Sequence, residues 1–211
     1  MKKAVIFDLD NCLAPATAVG LDLYEPAFEA VRRANRGALP PSRLQEAFAD
    51  MWFHPLDWVA QRHGFSSEMR AAAWEVFLAL EASRPMQGYA DLPVLAELPV
   101  QRFLVTSGFR RLQQSKIRAL GIERQFTAIF IDAIDEEPRI RKAGHFRHIL
   151  QHYDLAPTEV LVVGDDASSE IDAGNRLGIA TVQTVRPGVA VAPSASFAVR
   201  SLAELRPLLE G

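Results

Sequence analysis

An α/β fold, a doubly wound parallel sheet interrupted after its first strand by an all-helical insert, is what three features of the sequence predict. The chain opens on an apolar run, Ala4-Val5-Ile6-Phe7, that stops at two carboxylates, Asp8 and Asp10. Residues from about 14 to 84 carry helical periodicity and almost no strand pattern. From Asp91 onward short apolar runs alternate with helical stretches, the signature of successive strand-helix-strand units.

The first run has the length and continuity of a strand covered on both faces, as parallel strands are. Ligand sites of such sheets lie beyond the carboxyl ends of the strands, where Asp8 and Asp10 emerge. In the insert, apolar residues near i, i+3 and i+4 spacing predict a helix over 24–35. Ser42, after Pro40-Pro41 and with Gln45 three residues on, has the form of a capping box ahead of a helix over 44–52. A short amphipathic helix over 56–63 stops at Gly64, Ser66 or Ser67 caps a longer one reaching about residue 82, and Pro85 and Gly88 close the insert. Strands then follow over 102–106, 128–132, 160–164 and 180–185, with helices over 92–98, 111–120, 144–153 and 169–177. A short strand over 197–200 and a helix from 202 complete the chain. Residues 1–14 and 87–211 thus form the α/β core and residues 15–86 the helical insert.

With 211 residues, 49% of them apolar and 23% charged, and a net charge of -3, the composition is that of an ordinary globular protein. It carries no bias toward nucleic acid or a membrane surface. Cys12 is the lone cysteine, which excludes an intrachain disulfide and suits a reducing compartment. The start Met1-Lys2-Lys3 followed by an apolar run is cut off by Asp8 too soon for a signal peptide. A soluble, cytoplasmic protein, monomeric or homodimeric, is the expectation.

Asp-x-Asp after a strand is also what an ordinary turn looks like, but three further polar features fall at strand exits or helix starts. Thr106-Ser107-Gly108 directly follows Phe103-Leu104-Val105, offering a hydroxyl, free backbone N–H groups and a glycine that permits close approach of a phosphate oxygen. Lys142 precedes a helix. With nineteen arginines and four lysines in the chain, a lysine is an uncommon choice for plain surface charge. It supplies a compact point charge suited to phosphate or carboxylate, and Arg139 and Arg141 are the neighbours most easily confused with it. Finally, Leu161-Val162-Val163-Gly164-Asp165-Asp166 runs into Glu170 and Asp172. Asp166 and Asp172 are explicable as helix-start acids, but Asp165 leaves a buried strand as Asp8 does. Crowding such carboxylates requires a cation, and an oxygen-only set suits Mg²⁺.

Taken together, these motifs resemble those of the haloacid dehalogenase-like hydrolase superfamily, in its branch with a Rossmann-like core and a helical cap after the first strand. Asp8-Leu9-Asp10 resembles the first motif, Thr106 the second, Lys142 the third, and Gly164-Asp165-Asp166 with Glu170 the fourth. The resemblance implies a phosphatase acting on a small phosphorylated metabolite, such as a nucleotide or sugar phosphate. In it Asp8 forms a phosphoaspartyl intermediate and Asp10 is general acid and base. Mg²⁺ is held by Asp8, the Asp10 carbonyl and Asp165; Thr106, Ser107, Gly108 and Lys142 hold the phosphate; Asp166 and Glu170 support the metal or its water. Asn11-Cys12 departs from the Gly-Thr or Asn-Thr usual after the second acid, though Asn tolerates the left-handed turn. An Asn-Cys pair there is similar to some pyrimidine nucleotidase-like members. Glu170 stands where many members have Asp.

Within the same superfamily, a 2-haloacid dehalogenase needs no metal and lacks the second acid, so Asp10 favours phosphate esters. A phosphomutase keeps all these residues and differs in the cap. A receiver domain places its phosphorylated Asp on a later strand and has no cap. A catalytically silent phosphate-binding regulatory protein shares the residue set and differs only in turnover. Substrate choice falls to the insert, where Trp52, His54 and Trp58 are the candidates for substrate contact and Arg32 or Arg33 for an anionic tail.

Overall fold

The computed structural model describes residues 1–187 and 189–210. Its six strands, β1 (Ala4–Phe7), β2 (Gln101–Gly108), β3 (Ala128–Ala133), β4 (Val160–Gly164), β5 (Ala180–Thr184) and β6 (Phe197–Val199), make one sheet in the order β3-β2-β1-β4-β5-β6. Every neighbouring pair is parallel. The chain winds outward from β1 to one edge, returns to β4 on its other flank and winds to the opposite edge. The carboxyl ends of β1, β2 and β4 therefore lie side by side at the point where the winding reverses.

Alternation along β1 builds both faces of the core. Val5 and Phe7 join Leu104, Leu161 and Val163 on one face, beneath Ile117 of α5 (Arg110–Leu120) and Leu202, Leu205 and Leu209 of the C-terminal segment. Ala4 and Ile6 join Phe103, Val105 and Val162 on the other, beneath Phe146 and Ile149 of α6 (Arg141–His152) and Ala173 of α7 (Asp172–Arg176). A run buried on both faces has to be apolar throughout, which is why β1 and β4 read as continuous rather than alternating.

The insert folds as α1 (Glu25–Asn35), α2 (Pro41–Asp50), α3 (Leu56–His63) and α4 (Ser67–Ala79) around an apolar cluster of its own, into which Phe109, Leu112 and Ile134 reach from the sheet's edge. Ser66 caps α4 as expected, its hydroxyl accepting from the Met69 N–H at 3.2 Å. The capping box at Ser42 does not form. Pro41 occupies the first helical position, so α2 starts early and Ser42 falls inside its first turn without capping it. Helix α4 ends at Ala79, short of residue 82, because Leu80 turns extended. The segment expected as a helix over 92–98 is a tight 3₁₀ turn, Leu92–Glu97. That expected over 169–177 is a widened π turn, Ala167–Ile171, feeding the short α7. The chain closes on a 3₁₀ turn, Leu202–Leu205, and α8 (Arg206–Glu210). Among the described residues no helix is long and apolar enough to cross a membrane.

The loop after β1 is fixed from below by Arg186. Its guanidinium donates to the Cys12 carbonyl at 2.9 and 3.2 Å and pairs with both oxygens of Asp91 at 2.9 and 3.0 Å. It also lies 4.2 Å from the Tyr89 ring, while Asp91 accepts the Leu202 N–H. Removing one member of such a buried pair leaves the other charge unpaired. Arg186→Met is expected to lower stability by about 3 kcal/mol in urea unfolding; a loss under about 1 kcal/mol would show that the pair does not hold this loop.

Candidate active site

Sheet register decides which side chains meet. Phe7 pairs with Leu104 on β2 and Val163 on β4, so Asp8 leaves the sheet level with Gly164. Its N–H continues the ladder to the Val163 carbonyl at 2.9 Å. Asp165 follows on the same edge, and one carboxylate oxygen from each of Asp8, Asp165 and Glu170 lies within 4.8 Å of the others. All three are buried. Lys142 Nζ stands between them, 2.7 Å from Glu170 Oε2 and 2.8 Å from Asp8 Oδ1. The latter contact is an ion pair outside hydrogen-bond geometry, and Asp8 Oδ1 is buried with no hydrogen-bond donor.

Glu170 reaches this position through the π turn. The wider turn swings its longer side chain back over Gly164, and its Oε1 accepts the Asp166 N–H at 2.7 Å. A Cβ at position 164 would sit 2.2 Å from that Oε1 atom, so the glycine here is the space the glutamate occupies.

The carboxylates divide by environment. Burial first, then the neighbouring carboxylates, push Asp8 up to about 7 against the pull of Lys142. Burial, Glu170 and Asp8 push Asp165 up to about 9. Asp166, next in sequence, goes the other way: burial opposes ionisation, but His54 and the hydroxyl and N–H of Ser168 hold it at about 2. Asp8 and Asp165 are thus short of positive charge. They offer only hard oxygen donors, and among the described residues Asp8 Oδ1 accepts no hydrogen bond, a set that fits Mg²⁺.

Asp10 occupies a second environment, on the α5 side. Lys116 Nζ, its side chain 3% exposed, lies 3.0 and 2.9 Å from the two Asp10 oxygens, and Gln113 Nε2 donates to Asp10 Oδ2 at 2.9 Å. The same amide is 3.0 Å from Thr106 Oγ1 and 2.7 Å from the Ser107 carbonyl, so it ties Asp10 to the tip of β2. Thr106 keeps its hydroxyl hydrogen free. The Ser107 hydroxyl is committed to Asp132 at 2.9 Å, which leaves only backbone there for a phosphate oxygen. Gly108, at φ 151°, accommodates Gln113: a Cβ there would meet the Gln113 amide at 3.0 Å. Sequence reasoning missed Gln113 and Lys116. The signal was present, since Lys116 is another of the four lysines and sits one helical turn from Gln113, just after the Thr106 motif.

Residues 2–178 match the family model of the haloacid dehalogenase-like hydrolases. The chain belongs to that family. Among its relatives, it is 28% identical over 201 residues to the glyceraldehyde 3-phosphate phosphatase of Methanopyrus kandleri, covering 88% of this chain and 85% of that protein. It is 25% identical over 244 residues to the N-acylneuraminate-9-phosphatase of Mus musculus, covering 99% and 94%. The fold is similar to a haloacid dehalogenase-like hydrolase from Streptococcus pneumoniae, with a TM-score of 0.75 at 15% identity and 98% of each chain covered. It also resembles the L-2-haloacid dehalogenase of Xanthobacter autotrophicus, with a TM-score of 0.58 at 18% identity, covering 100% of this chain and 99% of that one.

In this family member the insert overhangs the acids. The cleft between insert and sheet edge is lined by Asp8, Asp10, Thr106, Ser107, Gly108, Lys142, Asp165, Asp166 and Glu170 below, and by Trp52 and His54 above. Asn11, in the left-handed conformation at φ 57°, donates to the Trp52 carbonyl at 3.0 Å and accepts the Ala16 N–H, joining the loop after β1 to the insert. His54 Nδ1 lies 3.3 Å from Asp166 Oδ2. Three of the expected specificity residues stand outside the cleft lining. Trp58 stacks on the outer side of His54, ring centroids 3.9 Å apart. Arg32 is spent on Glu25 and Glu29 along its own helix, and Arg33 is exposed on the same helix. Arg139 does not substitute for Lys142: it grips Asp132 on β3 and Asp57 on α3. Cys12 is buried toward the Val163 carbonyl, away from the cleft.

The two raised acids couple metal binding to pH. Their folded values exceed the ordinary carboxylate value, so the stability these two protonated acids contribute is full below about pH 4 and is lost as pH rises through about 7 to 9. A divalent ion held by these acids would displace those protons. The rise in Tm on adding saturating Mg²⁺ should therefore grow between about pH 5.5 and 8.5, and a pH-independent rise in thermal melts would contradict this assignment.

Proposed function

We propose that the protein is a Mg²⁺-dependent phosphatase that hydrolyses a small phosphate monoester through a phosphoaspartyl intermediate on Asp8. The observation that carries this reading is the separation of two acids only two residues apart: Asp8 among the buried carboxylates with Lys142, Asp10 held by Gln113 and Lys116. Two acids in such different environments support a division in which one attacks and the other moves protons. The two relatives' names share a phosphatase activity and differ in the ester, which supports the reaction on a phosphorylated small molecule.

Asp8 attacks phosphorus, the bond to the ester oxygen breaks, and Asp10 gives the departing alkoxide a proton. Asp10 then takes a proton from water as that water attacks the phosphorus, the acyl phosphate bond breaks, and Asp8 is released as a carboxylate. Thr106, the backbone at Ser107 and Gly108, and Lys142 hold the remaining phosphoryl oxygens. Glu170 keeps Lys142 in place and Asp166 supports the metal-side loop. Asp8, Asp165 and the Asp10 carbonyl would hold Mg²⁺, which would supply the positive charge that lets an anionic nucleophile approach an anionic phosphate. Residues 15–86 act as the cap that shields this chemistry from water, over a core of residues 1–14 and 87–211. The lone buried cysteine supports a cytoplasmic setting.

Hydrolysis of a panel of phosphate monoesters, with Mg²⁺ and with chelator, tests the reading. Chelation should abolish turnover, Asp8→Asn should lose at least about 10⁴-fold in kcat, and Asp10→Asn about 10²- to 10⁴-fold. Metal-independent halide release from a 2-haloacid, without ester hydrolysis, would replace it with the dehalogenase reaction. Phosphate binding without turnover would leave a silent regulator.

A further inference from the structure

Beyond the phosphate, the cleft must receive the alcohol that leaves, and its two halves differ in chemistry. Besides the acids, the cleft is lined by Trp52, Phe53, Leu56, Phe109 and Ile134, and by Tyr24 next to Lys116. Among the described lining residues there is no arginine, and the cations are Lys116, Lys142 and, when protonated, His54. Each already faces a carboxylate: Lys116 faces Asp10, Lys142 faces Asp8 and Glu170, and His54 faces Asp166. The lining holds five acids, Asp8, Asp10, Asp165, Asp166 and Glu170, against two lysines. A second anionic group on the substrate would thus be desolvated against apolar walls with no free cation to pair with.

We infer that the leaving-group half of this cleft selects an uncharged alcohol with an apolar or aromatic body and rejects esters bearing a second anionic group. This rests on the phosphatase reading above for its chemistry, though not for its geometry. The lost pairing of a buried charge discriminates far more strongly than a change of shape in an apolar wall, so charge should dominate size.

Three matched esters isolate charge from bulk: phenyl phosphate, 3-carbamoylphenyl phosphate and 3-carboxyphenyl phosphate, assayed with Mg²⁺. The carbamoyl ester should fall within about tenfold of phenyl phosphate in kcat/KM, and the carboxy ester roughly a hundredfold below the carbamoyl one. In parallel, calorimetry with benzylphosphonate and 3-carboxybenzylphosphonate reads the same preference without turnover, and the carboxy compound should bind far more weakly. Phe53 is 49% exposed at the cleft wall, so Phe53→Arg can place a cation there without disturbing the core, and it should narrow the carboxy penalty by about tenfold. Equal or better use of the carboxy ester, equal binding of the two phosphonates, or a penalty unmoved by Phe53→Arg would overturn the inference and leave the phosphatase reading standing. Failure to hydrolyse any ester, with the phosphonates still ranked as expected, would overturn the phosphatase reading and support the selectivity.

Discussion

Like-charged carboxylates buried at one sheet edge are the constraint on which the rest of this structure depends. One carboxylate oxygen from each of Asp8, Asp165 and Glu170 lies within 4.8 Å of the others: the pairing of β1 with β4 sets Asp8 and Asp165 side by side, and the π turn brings Glu170 back to them. Among the described residues Lys142 is the one cation between them, and it is divided between Asp8 and Glu170. Burial then leaves Asp8 and Asp165 with raised proton affinity, a deficit of positive charge that a divalent ion would fill. Gly164, the π turn and the length of Glu170 follow from the same constraint: the glutamate needs the room above a glycine to reach back to Lys142.

Helix α5 solves the opposite problem for Asp10. By holding that acid on Gln113 and Lys116, it turns Asp10 away from the crowded cluster and links it to Thr106 at the neighbouring strand tip. The insert is joined to this edge by polar contacts: Asn11 to the Trp52 carbonyl, His54 to Asp166, and Arg139 spanning Asp132 and Asp57. Those contacts bring an apolar, aromatic roof over a strongly charged floor. A phosphate and an uncharged body on the same small molecule would match the two surfaces at once.

Much of this was legible in the sequence because strands buried on both faces must be apolar and because polar groups emerge at their ends. Asp8, Thr106, Asp165 and the β-strand positions follow from that rule alone. Glu170 was legible as an acid near a helix start, but its turn was not, since one extra residue in a helical turn leaves hydrophobic periodicity almost unchanged. Lys116 and Gln113 were hidden on a helix whose apolar face reads as ordinary amphipathicity. Only the scarcity of lysine pointed at Lys116, as it did at Lys142. For Arg32 and Trp58 the sequence shows a charge and an aromatic ring but not the partner, and the structure supplies Glu25 and Glu29 for the one and His54 for the other.

A crystal structure grown with Mg²⁺ and beryllium fluoride, a mimic of an acyl phosphate, tests the central claim most directly. The account predicts the fluoride complex on an Asp8 carboxylate oxygen, with Thr106 and Lys142 at its fluorines and the ion between Asp8 and Asp165. A complex attached to Asp10 or elsewhere, or an ion bound away from these two acids, would contradict it.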